Sequence, residues 1–393
     1  MLRLLAIAAL CCLAAHAAAQ GESSQEALQR KFLEGAQLLQ SGDFAGAESV
    51  FRALLEQSKS PRVKLELARV LYYRKQYRES RALFKEVLLE PELPWRVREN
   101  VLAFVNAIDD IIGYVRPSIS LFVDSNPLNI TNQRDFTIGG IRLTFEPPTD
   151  SQKTPGLRFA VQAYQPFLQE PLVAGYLTGS YLDYPNNSLD RLTVDAGLMT
   201  GLGASGDTQA RAGIEAGTFS GQRLYHFPYV GFGQRLSQSP THRVDASVKL
   251  GQVTFPDFSY LDAHYAGVTL GGAHVLSDTL AGNLKLTLEK SDAREAPYSY
   301  NGVLLDPGVS FLLLSPAVLF RANAWLAERR YAEPDPLFGI RRVDHKTALE
   351  FSVRGKEWRW MNSTPALVLY VEDNRSNISF YTYRKTSLSV VIE

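Results

Sequence analysis

Residues Val244–Gln252 read Val-Asp-Ala-Ser-Val-Lys-Leu-Gly-Gln, so that apolar and polar side chains alternate along the chain. In an extended strand, Val248 and Leu250 lie on one face, whereas Asp245 and Lys249 lie on the other. The same alternation recurs in segments of about ten residues from Pro117 to the end of the sequence. Soluble sandwiches also alternate, but a polar face this charged on so many segments is typical of a barrel with lipid outside and water inside. The pattern therefore predicts a transmembrane antiparallel β-barrel.

The segments after Pro117 provide fifteen candidates for strands of this barrel. They begin near Ser118, Phe136, Leu157, Gly175, Leu192, Gln209, Tyr225, Val244, His264, Leu280, Gly302, Val318, Val343, Ala366 and Thr386. Bacterial single-chain barrels have an even number of strands, so fourteen are predicted and one candidate must lie outside the barrel. The weakest patterns lie between Leu192 and Phe219 and between Gly302 and Leu314, where Pro307 interrupts the run.

The beginning of the sequence has the features of a secretory signal, which we assign to residues 1–19. Arg3 is followed by an apolar stretch and by an Ala-x-Ala cleavage site before Gln20, and Cys11 and Cys12 are the only cysteines of the 393 residues. The processed chain would then lack disulfides, thiol catalysis and cysteine-bound metals. The sequence contains 41 basic and 41 acidic residues, a balance that argues against nucleic acid as a partner. Export and strand alternation together predict the outer membrane of a Gram-negative bacterium.

Residues 20–113 have helical periodicity and contain an internal repeat, so we predict a helical domain there and the barrel in 114–393. Gly35 and Phe51 of the first unit return as Ala68 and Phe84 of the second, 33 residues later. This spacing resembles the tetratricopeptide repeat, in which small residues let paired helices approach each other. Such arrays bind extended peptides on a concave face, but a plain helical spacer remains the alternative. The residues predicted to line a cargo-binding groove are Leu38, Tyr72, Tyr73 and Arg74.

If the apolar face of each strand contacts lipid, a set of charged residues of both signs faces the lumen. The predicted lumen-lining residues are Asp245, Lys249, Lys285, Glu289, Arg321, Lys346, Glu350 and Arg354. Mixed charge favours a hydrated conduit for polypeptide or solute. The alternative is a plugged interior whose charges form structural ion pairs.

No pattern for a cofactor, a metal or a catalytic group stands out in the sequence. The stretch from Gly201 to Gly206 matches G-x-G-x-x-G, but a glycine-rich strand rather than a helix follows it, so a barrel turn is the better interpretation. The histidines are scattered and do not have the spacing of metal ligands. We therefore predict a protein without cofactor, metal or enzymatic activity, although the members of a catalytic triad need not be close in sequence.

The order of signal, short tetratricopeptide-like domain and barrel of about fourteen strands resembles the surface lipoprotein assembly modulators (Slam proteins) of Gram-negative bacteria. Two stretches support this resemblance, Ser120–Asn126 at the start of the barrel and Glu372–Arg384 before its last strand. The positions that match the family motifs are Asp124, Ser125, Asn126, Asp373, Asn374, Ser376, Asn377, Tyr381 and Arg384.

The resemblance implies a protein of the outer membrane, with its helical domain in the periplasm, that moves lipoproteins or soluble cargo to the cell surface. Its implied partners are outer-membrane lipid, a surface lipoprotein or secreted protein, and a periplasmic chaperone. A seam between the strands near Ser118 and Thr386 would allow lateral release. Two other classes remain open, an exopolysaccharide-export barrel and a porin-like or adhesin-like protein with a helical appendage.

Overall fold

The protein is described by a computed structural model that covers residues 25–90, 93–131, 133–138, 141–146, 153–185, 187–202, 207–314, 317–355, 358 and 363–392. The predicted signal, residues 203–206 of the glycine-rich stretch, and Glu393 lie outside the described residues. Among the helices that are described, none combines the length and the apolar character needed to cross a membrane.

The amino-terminal part of the chain is helical, as its periodicity predicts. The helices are α1 (25–41), α2 (Phe44–Ser58), α3 (Pro61–Tyr73), α4 (Tyr77–Leu88) and α5 (Trp95–Ile112). Asp43 caps α2 by accepting a hydrogen bond from the backbone N–H of Gly46 at 2.9 Å, which satisfies one of the free N–H groups at the helix start. Pro61 occupies the first turn of α3, where its missing N–H costs nothing.

The repeat predicted from the sequence forms the core of these helices. Phe51 and Phe84, which are equivalent in the two units, are both fully buried. Gly35 allows close packing, because a Cβ atom there would lie 2.9 Å from Cζ of Phe51. In the second unit, the hydroxyl of Ser80 donates to the backbone oxygen of Ala68 at 2.7 Å. Phe104 of α5 stacks on Phe84 with ring centroids 5.0 Å apart and so extends the array.

Fourteen strands of the described residues form a closed antiparallel barrel, which confirms the predicted fold class. The order around the barrel follows the sequence, and the first strand pairs with the last. The strands are β1 (Tyr114–Asp124), β4 (Thr154–Gln169), β5 (Leu172–Asp183), β6 (Arg191–Leu202), β7 (Thr208–Phe219), β8 (Gln222–Gln238), β9 (His242–Val253), β10 (Ala263–Val275), β11 (Leu280–Ala293), β12 (Tyr300–Leu314), β13 (Ala317–Pro334), β14 (Arg341–Gly355), β15 (Ala366–Ser376) and β16 (Tyr383–Ile392).

The surplus strand candidate is the one near Phe136. It forms a separate hairpin of β2 (Asp135–Ile138) and β3 (Ile141–Thr144) within the loop between β1 and β4. The alternation of Ile141 and Leu143 suggested a barrel strand, but every residue of β3 is exposed. Each hairpin strand has four residues, which is too short to cross a bilayer, where about nine to eleven are needed.

The two weakly patterned regions are genuine strands. Residues 191–202 form β6, residues 208–219 form β7, and residues 300–314 form β12. Pro307 is accommodated because β12 pairs with β11 from Tyr300 to Phe311, whereas its pairing with β13 is interrupted at Asp306 and Pro307. A proline can occupy a strand where its nitrogen is not required as a donor.

The chain divides into two compact units, and the division falls within α5. One unit comprises Met1–Glu90 with Val101–Ile108, and the other comprises Pro91–Asn100 with Asp109–Glu393. Both ends of α5 therefore group with the barrel strands, whereas the domain boundary predicted from the sequence follows residue 113.

Candidate functional site

The two family-motif stretches meet where β1 pairs with β16, which we call the seam. The pairing register of the described residues joins Ile119–Asp124 of β1 to Ser387–Ile392 of β16. On its other side, β1 pairs with β4 along the whole of Tyr114–Asp124. The seam is thus the shorter of the two ladders that β1 forms.

Hydrogen bonds from the first motif join the two sides of the seam just beyond Asp124, the last residue of β1. Ser125 donates its N–H to the backbone oxygen of Thr386 at 2.9 Å, and its hydroxyl accepts from the N–H of Thr386 at 2.7 Å. The side-chain amide of Asn126 donates to the backbone oxygen of Arg384 at 3.1 Å. In the loop after β1, the hydroxyl of Thr131 donates to the backbone oxygen of Ser379 in the loop between β15 and β16, at 3.1 Å.

Asn126 has a second role, since it also shapes the loop that follows β1. Its amide donates to the backbone oxygen of Ile130 at 2.8 Å, and its side-chain oxygen accepts from the N–H of Ile130. Its own N–H donates to the carboxylate of Asp124 at 2.9 Å. Asn126 is only 4% exposed, and an amide that both donates and accepts fits this buried position.

The second motif organises the loop between β15 and β16. Asn374 donates to the backbone oxygen of Tyr381 at 2.7 Å, and Asn377 donates to that of Arg341 at 2.8 Å. The hydroxyl of Tyr381 donates to Asp335 at 2.7 Å. The pKa of Tyr381 is raised, first by burial and then by this hydrogen bond, so the phenol stays protonated as a donor.

Asp373, Ser376 and Arg384, the remaining predicted positions, also make local contacts. Arg384 Nε lies 3.2 Å from the carboxylate of Asp373. The N–H of Ser376 donates to the hydroxyl of Thr382 at 3.0 Å. The motif residues therefore fix the loops beside the seam by hydrogen bonds and ion pairs.

An aromatic cluster covers the same region and was not predicted from the sequence. Phe380 lies between Phe136 of the hairpin, at 5.3 Å between ring centroids, and Phe338 of the loop between β13 and β14, at 5.8 Å. Phe145 also packs on Phe380. We call Ser125, Asn126, Thr131 and these aromatic residues the seam latch. The rings come from three loops far apart in sequence, and no periodic pattern connects them.

Replacement of Asn126 tests the seam latch. Asn126→Ala leaves the backbone oxygen of Arg384 and both groups of Ile130 without their partner, a loss of about 1–3 kcal/mol. We expect the folded, fast-migrating form of the barrel in unheated SDS gels to convert to the unfolded form at a lower temperature than in the parent. Thr137→Ala, on an exposed position of β2, is the control and should leave that temperature unchanged. Equal conversion temperatures for Asn126→Ala and the parent would contradict the role of the seam latch.

The predicted lumen residues lie on the face of the strands opposite the exposed apolar positions. Lys249, for example, pairs with Glu215 at 3.4 Å and lies 4.0 Å from the centroid of the Tyr229 ring. Glu289 pairs with Arg329 at 2.8 Å. The other predicted residues also lie on the inner face. Asp245 pairs with Arg243, and Lys346 pairs with Glu372. Lys285 is opposite Asp306 in the register of β11 and β12, and one cavity is lined by Arg321, Glu350 and Arg354.

Aromatic side chains form a large part of the lumen wall and were also missed. Every second residue from Tyr225 to Tyr229 of β8 is aromatic. Phe227 and Tyr229 are buried and Tyr225 is half-buried, whereas the residues between them are exposed. The hydroxyl of Tyr229 donates to Asp195 at 2.7 Å, and that of Tyr225 donates to Glu215 at 2.7 Å. The period-two spacing of these rings was a usable signal. The prediction of the inner face uses charged positions alone and therefore does not include these rings.

The predicted groove residues of the helical unit have unequal accessibility. Leu38 packs against the core cluster, and Arg74 forms an ion pair with Glu48. Tyr72 packs edge-on against Phe104 at 5.1 Å. Tyr73 is 45% exposed and stacks on Phe44.

The ends of α5 are anchored to the short turns of the barrel. Arg96 lies 3.1 Å from Asp278 in the turn between β10 and β11, and Gln169 at the end of β4 donates to the backbone oxygen of Ile111 at 2.9 Å. Burial raises the pKa of the carboxyls of Glu99 and Asp110 in these two end segments. Both carboxyls also interact with arginines of the barrel, Glu99 with Arg321 and Asp110 with Arg235.

A closed fourteen-stranded barrel with an apolar outer face, a polar lumen and helical repeats before it defines a β-barrel protein of the outer membrane. Residues 263–393 match the model of the surface lipoprotein assembly modifier family, and residues 38–92 match that of the tetratricopeptide repeat. These matches confirm the predicted resemblance to that family. The family match begins with β10 and includes the second motif, whereas the first motif lies before it.

Solved structures similar to the chain are outer-membrane barrels. The channel DcaP of Acinetobacter baumannii has 10% identity and a TM-score of 0.41, with 72% of this chain and 97% of that chain covered. OmpT of Vibrio cholerae in its trimer form has 10% identity and a TM-score of 0.37, with 72% and 99% covered. No curated protein matches the chain. With TM-scores below 0.5, these likenesses carry no information on function.

Proposed function

We propose that the protein delivers lipoproteins, or soluble protein cargo, from the periplasm to the cell surface, and that it does so without making or breaking a covalent bond. The observation that carries this proposal is the family match over β10–β16, which includes half of the barrel and one side of the seam. The helical repeats would face the periplasm and receive the cargo or its chaperone. Exposed rings such as Tyr73 are suited to that contact.

Two features of the barrel support transport of a polypeptide. The lumen carries hydrogen-bonding and charged groups of both signs, which can replace water around a polar chain. The seam offers a route by which the acyl chains of a lipoprotein could stay in the membrane while its polypeptide passes through the lumen. The seam latch would then determine when β1 and β16 separate.

A second candidate function is export of a polysaccharide. The specific observation in its favour is the aromatic wall, in which Tyr225, Phe227 and Tyr229 lie beside the carboxylates of Asp195 and Glu215. Aromatic faces and carboxylates are common partners of sugars. These carboxylates are already bonded to protein groups, however, and the inner charges are of both signs.

Deletion of the gene followed by protease treatment of intact cells tests the proposed function. If the protein exports lipoproteins, at least one lipoprotein that is cleaved on the surface of parent cells should become resistant in the deletion strain and remain in the periplasm. Complementation with the full chain should restore cleavage. Loss of capsule or matrix with normal lipoprotein exposure would support the polysaccharide function instead, and no change in either would contradict both.

A further inference from the structure

A cavity of about 660 Å³ lies within the barrel against both strands of the seam. Ser120 and Phe122 of β1 and Ser387 and Ser389 of β16 are among the residues that line it. The rest of its wall comes from β4–β6 on one side and from β13–β15 on the other. We call this cavity the seam chamber. A chain that left the barrel through the seam would pass through this space.

Among the described residues that line the seam chamber, cationic side chains outnumber carboxylates. Its cationic side chains are Arg158, Arg191, Arg321, Arg354 and Lys385, and its carboxylates are Asp124 and Glu350. Asp124 lies 3.8 Å from Lys385, and Glu350 accepts a hydrogen bond from Asn323. The nearby end of α5 adds one charge of each sign, Arg98 and Glu99, and so leaves the excess unchanged.

Two of the arginines have capacity to bind a further group. Arg158 is exposed to the chamber and has no ion-pair partner among the described residues. Arg191 donates to the backbone oxygen of Pro127, but its buried Nε has no hydrogen-bond partner in the described part of the chain. A buried donor without a partner is costly, so an acceptor from a ligand would be stabilising. Arginine can also hold a carboxylate with two parallel hydrogen bonds.

Elsewhere in the lumen, two cationic side chains each have a carboxylate partner. There Lys249 is matched by Glu215, and Arg329 is matched by Glu289, each within ion-pair distance. Arg158 therefore differs from these two cations in being available to a carboxylate from a ligand. The hydroxyls of Ser120, Ser387 and Ser389 add groups that can bond the backbone of an extended chain.

We propose that the seam chamber binds an extended segment of the cargo polypeptide that is rich in Asp and Glu. This inference rests on the proposed function in one respect, namely that the cargo is a polypeptide. The guanidinium of Arg158 and the free Nε–H of Arg191 would hold the carboxylates, and the serines would hold the backbone. Binding there would position an acidic segment of the cargo directly beside β1 and β16.

Peptide binding to the purified full-length protein in detergent micelles tests the seam chamber. Two fluorescein-labelled peptides of equal length are titrated, one alternating Glu and Ser and the other alternating Lys and Ser, with anisotropy as the readout. We expect the acidic peptide to bind about tenfold more tightly or better, and its affinity to fall as salt is raised. Equal affinity for the two peptides would overturn the proposal.

A matched pair of charge reversals locates the binding site. Arg158→Glu places a carboxylate in the chamber and should weaken the acidic peptide by about tenfold or more. Lys290→Glu makes the same change on a residue of β11 that is exposed outside the chamber, and it should leave the affinity unchanged. Fast migration in unheated SDS gels confirms that both variants are folded. Unchanged affinity in Arg158→Glu, or displacement of the peptide by an equal concentration of glycerol phosphate, would overturn the proposal.

Delivery of lipoproteins and binding of an acidic segment in the seam chamber are tested by different experiments. Protease treatment of intact cells reports delivery of lipoproteins, whereas peptide titration reports only the chamber. A protein that exports lipoproteins but does not prefer the acidic peptide would refute the chamber and leave the proposed function standing. A protein that binds the peptide but whose deletion leaves every surface lipoprotein in place would refute the proposed function.

Discussion

Cross-linking β1 to β16 is expected to abolish delivery of lipoproteins to the cell surface. Leu121 and Val390 are paired across the seam and are both exposed on the outer face. The variant carries Leu121→Cys and Val390→Cys in a chain whose native Cys11 and Cys12 are replaced by alanine, and a short, reversible thiosulfonate reagent joins the two thiols. A joined seam cannot open, so we expect surface exposure of the lipoprotein to fall at least about tenfold and to recover on reduction.

The register provides a control that shares one of the two positions. Leu121 also pairs with Leu157 of β4, so Leu121→Cys with Leu157→Cys joins β1 to its other neighbour. This cross-link leaves the seam free and should leave delivery intact. Normal delivery with the seam fully joined, as judged by gel migration after denaturation, would exclude lateral opening as the route.

Truncation of the buried ring of α2 is expected to unfold the helical unit while the barrel stays folded. Phe51 is fully buried and contacts Phe32 edge-on with ring centroids 5.7 Å apart. Phe51→Ala removes this packing and leaves a cavity, at a cost of about 3–5 kcal/mol. A helical unit of this size has a total stability of about the same order. We expect the urea transition of the helices, followed by circular dichroism, to shift to much lower urea, with the heat-dependent gel migration of the barrel unchanged.

The neighbouring residue is a matched control for this experiment. Arg52 is partly exposed and forms ion pairs with the buried Glu48 at 2.8 Å and with the exposed Glu79 at 2.7 Å. Its hydrogen bonds to Glu79 hold the pKa of that carboxyl below its ordinary value. Glu48 keeps its ion pair with Arg74 in Arg52→Ala. The exposed pair with Glu79 contributes about 1 kcal/mol or less, so the transition should move only slightly. Shifts of equal size in Phe51→Ala and Arg52→Ala would contradict the assignment of Phe51 to the core.

The barrel was predictable because lipid imposes a strict rule on every spanning strand. Outward positions such as Leu284 and Leu288 must be apolar, so alternation marks each strand independently of the rest of the fold. The hairpin of β2 and β3 supplied the surplus candidate, although the predicted number of fourteen strands is confirmed, because alternation also occurs in short strands outside a barrel. Phe136 is buried by Phe380, a contact that lies more than 200 residues away in sequence and leaves no local signal.

The candidate site was predictable in part. The motif positions followed from the family resemblance, but their meeting at the seam depends on closure of the barrel, which brings Asn126 to Arg384. The seam chamber was less accessible to sequence reasoning. The positions of Arg321, Glu350 and Arg354 followed from alternation, whereas Arg158 and Arg191 join them through strands on the far side of the seam. The grouping of these cationic side chains depends on strands that are distant in sequence and meet only in the closed barrel.

The aromatic lining of the lumen has a practical consequence for optical measurements. Trp325 of β13 lies 6.2 Å from the ring of Tyr370, and Tyr370 forms part of the wall of the seam chamber. The emission of an indole depends on the polarity and charge of its surroundings. In a variant with the other three tryptophans replaced by phenylalanine, Trp325 would serve as a native fluorophore that reports chamber occupancy without any attached dye.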